Sequence, residues 1–428
     1  MIKIDLSNLA KIKAQHGLSG KELFAEPAKI KNLLQKIESR KQGFHTVIDD
    51  TSANRKISDY SAKNKGKYKD LILLGIGGSA LGTICLQQSL KHLFHNELAG
   101  SSKAPRLHVL DNIDPTLMSE ICDIIDLKST LLIVVTKSGT TPETLAQYYY
   151  FLDKIKAKKL NPKNHFVFIT GSGKSVLRRF AEEYGIVVFD IPKNIGGRFS
   201  VLSAVGLLPA MLMGLNVKEL LAGAKEMRKS FYSPDWTRNM PYLLATAQSK
   251  LLKKGKIINV MMPYSQKLIR FADWYGQLLA ESIGKQGTGI TPISALGVTD
   301  QHSQNQLYNE GPNDKLFIFI KAAKPGPVIQ IKASGKDPET AYLKNLSFGK
   351  LMETEMMGTI GALTENARPN LTVEIDKVDE YHMGGLFMLF EAATAFLGEM
   401  MNINAYDQPG VERSKEITKK LLTKKNER

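Results

Sequence analysis

Cysteine is almost missing. Only Cys85 and Cys122 occur in 428 residues, so neither a disulfide framework nor a thiolate metal site can be what holds this chain together. Both lie in apolar, helix-like stretches, where a reduced core thiol is expected. Long hydrophobic runs are missing too. The most membrane-like stretch, Val201–Val217, is interrupted by Ser203, Gly206, Pro209, Gly214 and Asn216, falls short of the roughly 20 apolar residues that span a bilayer, and reads as a buried helix. The opening MIKIDLSNLAKIKAQHG carries a charge every few residues and has no apolar stretch or small-residue cleavage site, so no export signal is expected. No membrane association and a cytoplasmic location are the corresponding expectations. There is no low-complexity linker and no short repeat.

Acidic residues are in deficit: 58 Lys and Arg face 42 Asp and Glu, a formal charge of +16. Such a surface attracts anions in general. Nucleic-acid binders gather that charge into a patch with aromatic or base-reading residues between, whereas here it is scattered through KNKGKYKD, KAKKLNPKN and KKLLTKKNER. A small anion, and no nucleic acid, is the expected ligand.

With 43% hydrophobic residues the chain has material for two domain cores. Short apolar runs at Leu71–Ile76, Arg106–Leu110, Leu131–Val135, His165–Ile169 and Ile186–Phe189 alternate with helix-compatible segments, which predicts a parallel, doubly wound sheet. A looser second set falls at Lys256–Met262, Lys315–Ile320, Val328–Ile331 and Leu371–Ile375, with a long stretch at Gly385–Met401 that reads as amphipathic. The expected organisation is a helical arm without comparable strand signal over 1–65, a first α/β subdomain over 66–200 and a second over 201–428.

Ligands of parallel sheets collect at the carboxyl ends of strands, where loops feed helix amino termini with free N–H groups. Two loops fit. LILLGI runs into GGSALG, where Gly77 and Gly78 permit close backbone approach and Ser79 adds a hydroxyl. LLIVV runs into TKSGTTPET, which supplies Thr136, Ser138, Thr140 and Thr141 around the cation Lys137, with Pro142 placed to begin a helix. That composition suits a small dianion; the plainer alternative is helix capping alone. Two nucleotide patterns compete. Gly75, Gly77 and Ala80, followed later by Asp111, satisfy a loose dinucleotide pattern, and GSGKS at Gly171–Ser175 imitates a phosphate loop but has Phe168 where that motif needs its first glycine.

Three further segments occur in order with these loops: KNIGGRFSVLSAVG from Lys193, GQLLAESIGKQG from Gly276 followed by DQHSQNQ around His302, and YDQPGVERSK from Tyr406. Together they resemble the glucose-6-phosphate isomerase family, in its compact bacterial branch, from about residue 66 onward. The resemblance implies two sugar-isomerase (SIS-type) subdomains, each a doubly wound parallel sheet in a three-layer αβα arrangement. It also implies an aldose-ketose isomerase that interconverts glucose 6-phosphate and fructose 6-phosphate in glycolysis and gluconeogenesis. Thr136 departs from the serine of many relatives but keeps the hydroxyl.

The chemistry needs a base that moves a proton between carbon 1 and carbon 2, and a positive group facing the enediolate formed between. The resemblance assigns the base to Glu281, which follows Gln277 by four residues and so shares its helical face. It assigns the cation to Arg198, behind Gly196 and Gly197, and ring opening to His302 and Lys415. Gln277 and Gln408 then contact sugar and phosphate. Gly78, Ser79, Thr136, Lys137, Ser138, Thr141 and Gly197 complete the substrate-binding set, with no metal and no cofactor. The resemblance further implies a homodimer in which His302 enters the partner's site. Rival readings are a looser glucose/mannose phosphate isomerase, a sugar-phosphate-binding module without catalysis, and an NAD-dependent oxidoreductase.

Overall fold

The computed structural model describes residues 2–98 and 104–425. Among these described residues ten strands form two five-stranded sheets: β1 (Lys3–Asp5), β2 (Asp70–Leu74), β3 (Arg106–Leu110), β4 (Thr130–Thr136), β5 (Phe166–Gly171), β6 (Val187–Ile191), β7 (Ile258–Pro263), β8 (Thr291–Ser294), β9 (Lys315–Ala322) and β10 (Asn370–Ile375). The first sheet runs β3-β2-β4-β5-β6 and every neighbouring pair is parallel. The second runs β1-β10-β9-β7-β8, parallel except for β1, which pairs antiparallel with β10 in the register Lys3↔Glu374. The winding is the same in both: β7, β8, β9 and β10 take the places of β2, β3, β4 and β5. Mixed α/β architecture with doubly wound parallel sheets is therefore what the chain adopts.

Burial explains why the central strands were legible. Alternate residues of the first sheet face two different cores: Leu71, Leu73, Ile133 and Val135 join the large central cluster, while Ile72, Leu74, Leu132 and Val134 join a second one under helix Pro142–Ala157. A strand buried on both faces reads as a continuous apolar run. The central cluster continues into the second sheet through Met261, Leu316, Ile318, Leu371 and Val373, so one apolar layer of helices joins the halves. Its axis is helix Glu380–Met400, in which every residue from His382 to Glu399 is buried. Helix Val217–Phe231 crosses it so closely that a Cβ on Gly223 or Gly384 would stand 1.7 or 1.8 Å from a carbonyl of the opposite helix. Any side chain there must push the two helices apart.

Four expectations change. Gly385–Met401 is a core helix buried all round, not an amphipathic one, and by length and composition it is the one helix among the described residues that could cross a membrane; 89% of its apolar window is buried within the protein. Val201–Val217 does contain a buried helix, but a shorter one than the stretch, Ala204–Leu212, and Val217 already opens the next helix, Val217–Phe231. Val328–Ile331 is no strand: Val328 is 78% exposed, and its flank of Pro325, Gly326 and Pro327 leaves one isolated bridge, Gln330↔Ser347. Two strands went unread, β1 and β8. Both are short edge strands, one carrying charges and the other Pro292, so neither shows an apolar run. The amino-terminal arm is otherwise helical. Its helix Pro27–Ser39 packs on Glu380–Met400, where Arg40 pairs with the nearly buried Glu399 at 2.8 Å. Cys85 is buried, Cys122 half-buried, and both are free thiols.

Candidate active site

In the first sheet the winding reverses between β2 and β4, and the crevice at such a switch point is where α/β sheets hold ligands. Both hydroxyl-bearing loops open there. After β2, residues Gly77–Ser79 make a single tight turn with Gly77 at φ +57°. Gly78 lies flat against the next site element: a Cβ would stand 2.3 Å from the Gly197 carbonyl carbon and 2.6 Å from the Arg198 nitrogen, so only glycine fits. After β4, Thr136 is buried and its Oγ1 lies 2.6 Å from Thr141 Oγ1 and 3.4 Å from Ser138 Oγ. The Thr140 N–H donates to Ser138 Oγ at 3.2 Å, and Pro142 opens the following helix as expected. Lys137 reaches across to donate to the Lys193 carbonyl at 3.0 Å. Burial lowers its pKa, and among the described residues no carboxylate pairs with it.

Arg198 sits in the turn Gly197–Phe199 beyond β6 and is 2% exposed. Its guanidinium is fully committed. Nε donates to Ser282 Oγ (2.7 Å), Nη2 to the carbonyls of Ala405 (2.6 Å) and Asp407 (3.0 Å), and Nη1 to Gln408 Oε1 (2.9 Å) and Glu281 Oε2 (3.1 Å). Burial lowers its pKa, and the Glu281 carboxylate opposes that shift. Helix Ile269–Ile283, which follows β7, buries Phe271, Trp274, Tyr275, Leu278 and Leu279 and turns Gln277 and Glu281 toward the crevice. Gln277 Nε2 donates to Glu281 Oε1 at 2.7 Å, so each oxygen of this one-third-exposed carboxylate accepts a bond from a different donor. A Cβ on Gly77 would stand 2.8 Å from Gln277 Nε2, which closes the circle between the first loop and this helix.

The structure therefore brings Gly78, Gly197, Arg198, Gln277, Glu281 and Gln408 together, with Ser79 and the loop of Thr136, Lys137, Ser138 and Thr141 at the strand ends beside them. It does not bring in His302 or Lys415. His302 is exposed near the start of helix Gln301–Glu310, and among the described residues its side chain makes no hydrogen bond. Lys415 is 61% exposed on helix Glu412–Lys425 and pairs with Glu412 at 2.8 Å. Gly171–Ser175 ends β5 and starts a helix, with Ser175 Oγ capping the Arg178 N–H at 3.3 Å, which is the plain reading of that motif.

Sequence reasoning missed four contributors: Ser282, the Ala405 carbonyl, Asp407 and Lys285. Ser282 and Lys285 lie inside the GQLLAESIGKQG segment, but nothing in their spacing ties them to residues 84 or 119 positions away. Among the described residues no cluster of three His, Cys, Asp or Glu could hold a metal ion.

Two parallel sheets lending residues to one crevice, with a hydroxyl-rich anion loop on one side and a carboxylate beside a buried guanidinium on the other, define the class of the α/β phosphosugar isomerases. Residues 31–428 match the family described as phosphoglucose isomerase, and the chain belongs to that family. It is 44% identical over 370 residues to a glucose-6-phosphate isomerase of Carboxydothermus hydrogenoformans, covering 83% of this chain and 79% of the relative. It is 36% identical over 400 residues to a probable glucose-6-phosphate isomerase of Methanococcus maripaludis, covering 93% and 88%. Among solved structures it superposes on a Thermus thermophilus protein described as hypothetical with a TM-score of 0.88, at 32% identity over 99% of this chain and 100% of that one. On the glucose-6-phosphate isomerase of Chlamydia trachomatis the TM-score is 0.75, at 26% identity over 88% and 74%.

Proposed function

We propose that Glu281 is the base and Arg198 the electrostatic partner of an aldose-ketose isomerisation on a phosphate-anchored sugar. The chain is an isomerase that interconverts glucose 6-phosphate and fructose 6-phosphate, the step that serves glycolysis and gluconeogenesis. In the forward direction Glu281 takes the proton from carbon 2 of the open-chain aldose. The electron pair moves into a cis-enediolate, the hydroxyl proton of oxygen 2 passes to oxygen 1, and the Glu281 carboxyl, one-third exposed and able to exchange its proton with solvent, protonates carbon 1 as the carbonyl re-forms at carbon 2. The charge that builds on oxygen faces Arg198, whose position needs no rearrangement because its other donors are already bound.

The observation that carries this reading is the 3.1 Å contact between Glu281 and an Arg198 guanidinium that is otherwise locked. The two loops after β2 and β4 supply the anchor: hydroxyls, N–H groups and Lys137 for the phosphate, whose binding energy holds a flexible open chain in reactive geometry.

Ring opening is assigned to His302 and Lys415. Both lie outside the crevice of this protomer, and the arrangement that supports their role is a homodimer in which His302 enters the partner's site. The protein works in the cytoplasm. Incubation with fructose 6-phosphate, followed by NMR, tests the reading: glucose 6-phosphate accumulates to an equilibrium mixture that is reached from either sugar. A protein that bound both sugars and converted neither would be a sensor, and the reading would fall.

A further inference from the structure

Arg198 donates three of its five hydrogen bonds to one short stretch, to the Ala405 and Asp407 carbonyls and the Gln408 side-chain oxygen. That stretch is irregular chain beyond helix Glu380–Met400, and Asp407 and Gln408 are exposed. Exposed irregular chain does not by itself fix the direction of its carbonyls. Its inner part is packed into the core, with Ile403 and Ala405 buried and Tyr406 against the rings of Phe44 and Phe199, and its exposed Asp407 end has a polar grip. Lys285 Nζ pairs with Asp407 Oδ1 at 2.8 Å and donates to the Asn404 carbonyl, while Asn404 Nδ2 donates to Asp407 Oδ2 at 2.8 Å.

Lys285 is itself anchored. Its side chain is 10% exposed, and its backbone is tied by reciprocal 3.0 Å bonds with Thr288 in the turn that ends the Glu281 helix. Lys285 stands four residues past Glu281 in sequence, so one turn of chain links the carboxylate to the cation that grips the other wall. Burial lowers the lysine's pKa, and its pair with Asp407 opposes that shift.

We propose that Lys285 is a positioning residue: through Asp407 it sets the stretch 404–408, and that stretch aims the Arg198 guanidinium at Glu281. The proposal rests on the assignment of Glu281 and Arg198 made above. It separates holding the catalytic geometry from binding the substrate, because neither Lys285 nor Asp407 lies among the phosphate-loop residues.

Steady-state kinetics on Lys285→Met and Asp407→Asn test it, with thermal midpoints measured on each. In both variants kcat falls on the order of 10- to 100-fold, as sub-ångström misplacement of a catalytic group does, while KM for fructose 6-phosphate and inhibition by inorganic phosphate shift less than about threefold. Lys285→Arg, which keeps the pair, recovers most of the loss. The double variant loses no more than the worse single one. Affinity for 5-phosphoarabinonate, whose carboxylate mimics the enediolate, falls in step with kcat.

Unchanged kcat in folded Lys285→Met and Asp407→Asn, or a raised KM with kcat intact, overturns the proposal. If Lys285→Met does not fold, Asp407→Asn, altered at a half-exposed side chain, decides alone. Glu281→Gln is assayed alongside. Normal turnover there removes the underlying reading and the proposal with it, whereas a dead Glu281→Gln beside normal Lys285→Met and Asp407→Asn removes only the proposal.

Discussion

Arg198 and Lys415 are two cations assigned to one reaction, and their settings are opposite. Arg198 is 2% exposed and every arm of its guanidinium has a partner, whereas Lys415 is 61% exposed and leans on Glu412 three residues away. The histidines divide in the same way: His302 lies open at the surface, while His45 is buried among the rings of Phe44, Phe231 and Tyr232. The contrast teaches which half of the chemistry one protomer completes. On the proposed reading, the groups of the isomerisation step meet within one chain, whereas His302 and Lys415 stand at its surface, apart from them.

If the buried centre carries the isomerisation, its loss has the largest effect. Glu281→Gln lowers kcat by about 10³- to 10⁴-fold with KM nearly unchanged, measured by coupled assay in both directions. Arg198→Lys comes next, at about 10²- to 10³-fold in kcat. An ammonium cannot reproduce the fork that reaches Ser282, Ala405, Asp407 and Glu281 at once.

The exposed half is sharpened by mixing. In an equal mixture of His302→Ala and Glu281→Gln subunits, reassembled from a dissociated state, about a quarter of wild-type activity returns if His302 serves the partner's site, since half the dimers are mixed and one of their two sites is intact. No recovery breaks the dimeric part of the reading. A smaller effect is expected at the anchor: Thr136→Val removes the hydroxyl bonded to Thr141 and weakens inorganic phosphate binding by about 3- to 10-fold, read by calorimetry.

The smallest effect concerns stability rather than turnover. Burial, helped by Arg228, lowers the His45 pKa from 6.5 to about 4. Between those values the unfolded chain binds a proton that the folded chain does not. Stability is thus complete above about pH 6.5 and falls as the pH drops toward 4, by up to about 3 kcal/mol. Denaturant unfolding across that range shows the slope, and His45→Gln flattens it.

How far the sequence could be read follows the same division between continuous and assembled features. β2, β4 and β5 are uninterrupted apolar runs because both of their faces are covered, and their loops fall where the runs end. β1 escaped notice because three residues with two charges carry no hydrophobic signal, and β8 because an edge strand tolerates Pro292. Val328–Ile331 misled because apolar residues alone do not make a strand when neighbouring prolines remove the ladder donors. In the site, Gln277, Glu281 and Arg198 were picked out by the family resemblance; the four-residue spacing placed the first two on one helical face, and the glycines before Arg198 allowed close backbone approach. The setting of Arg198 was not legible, since Ser282 and the Ala405 carbonyl come from 84 and 207 residues away and only folding brings them together.

The most direct test of the buried centre follows hydrogen rather than rate. Wild-type protein and Glu281→Gln are each incubated with fructose 6-phosphate in heavy water, and deuterium at carbon 2 of the glucose 6-phosphate formed is read by NMR. The wild type incorporates deuterium there, while Glu281→Gln, still able to bind inorganic phosphate, incorporates none on the same timescale. Deuterium entering carbon 2 at a comparable rate without the Glu281 carboxylate would contradict the account.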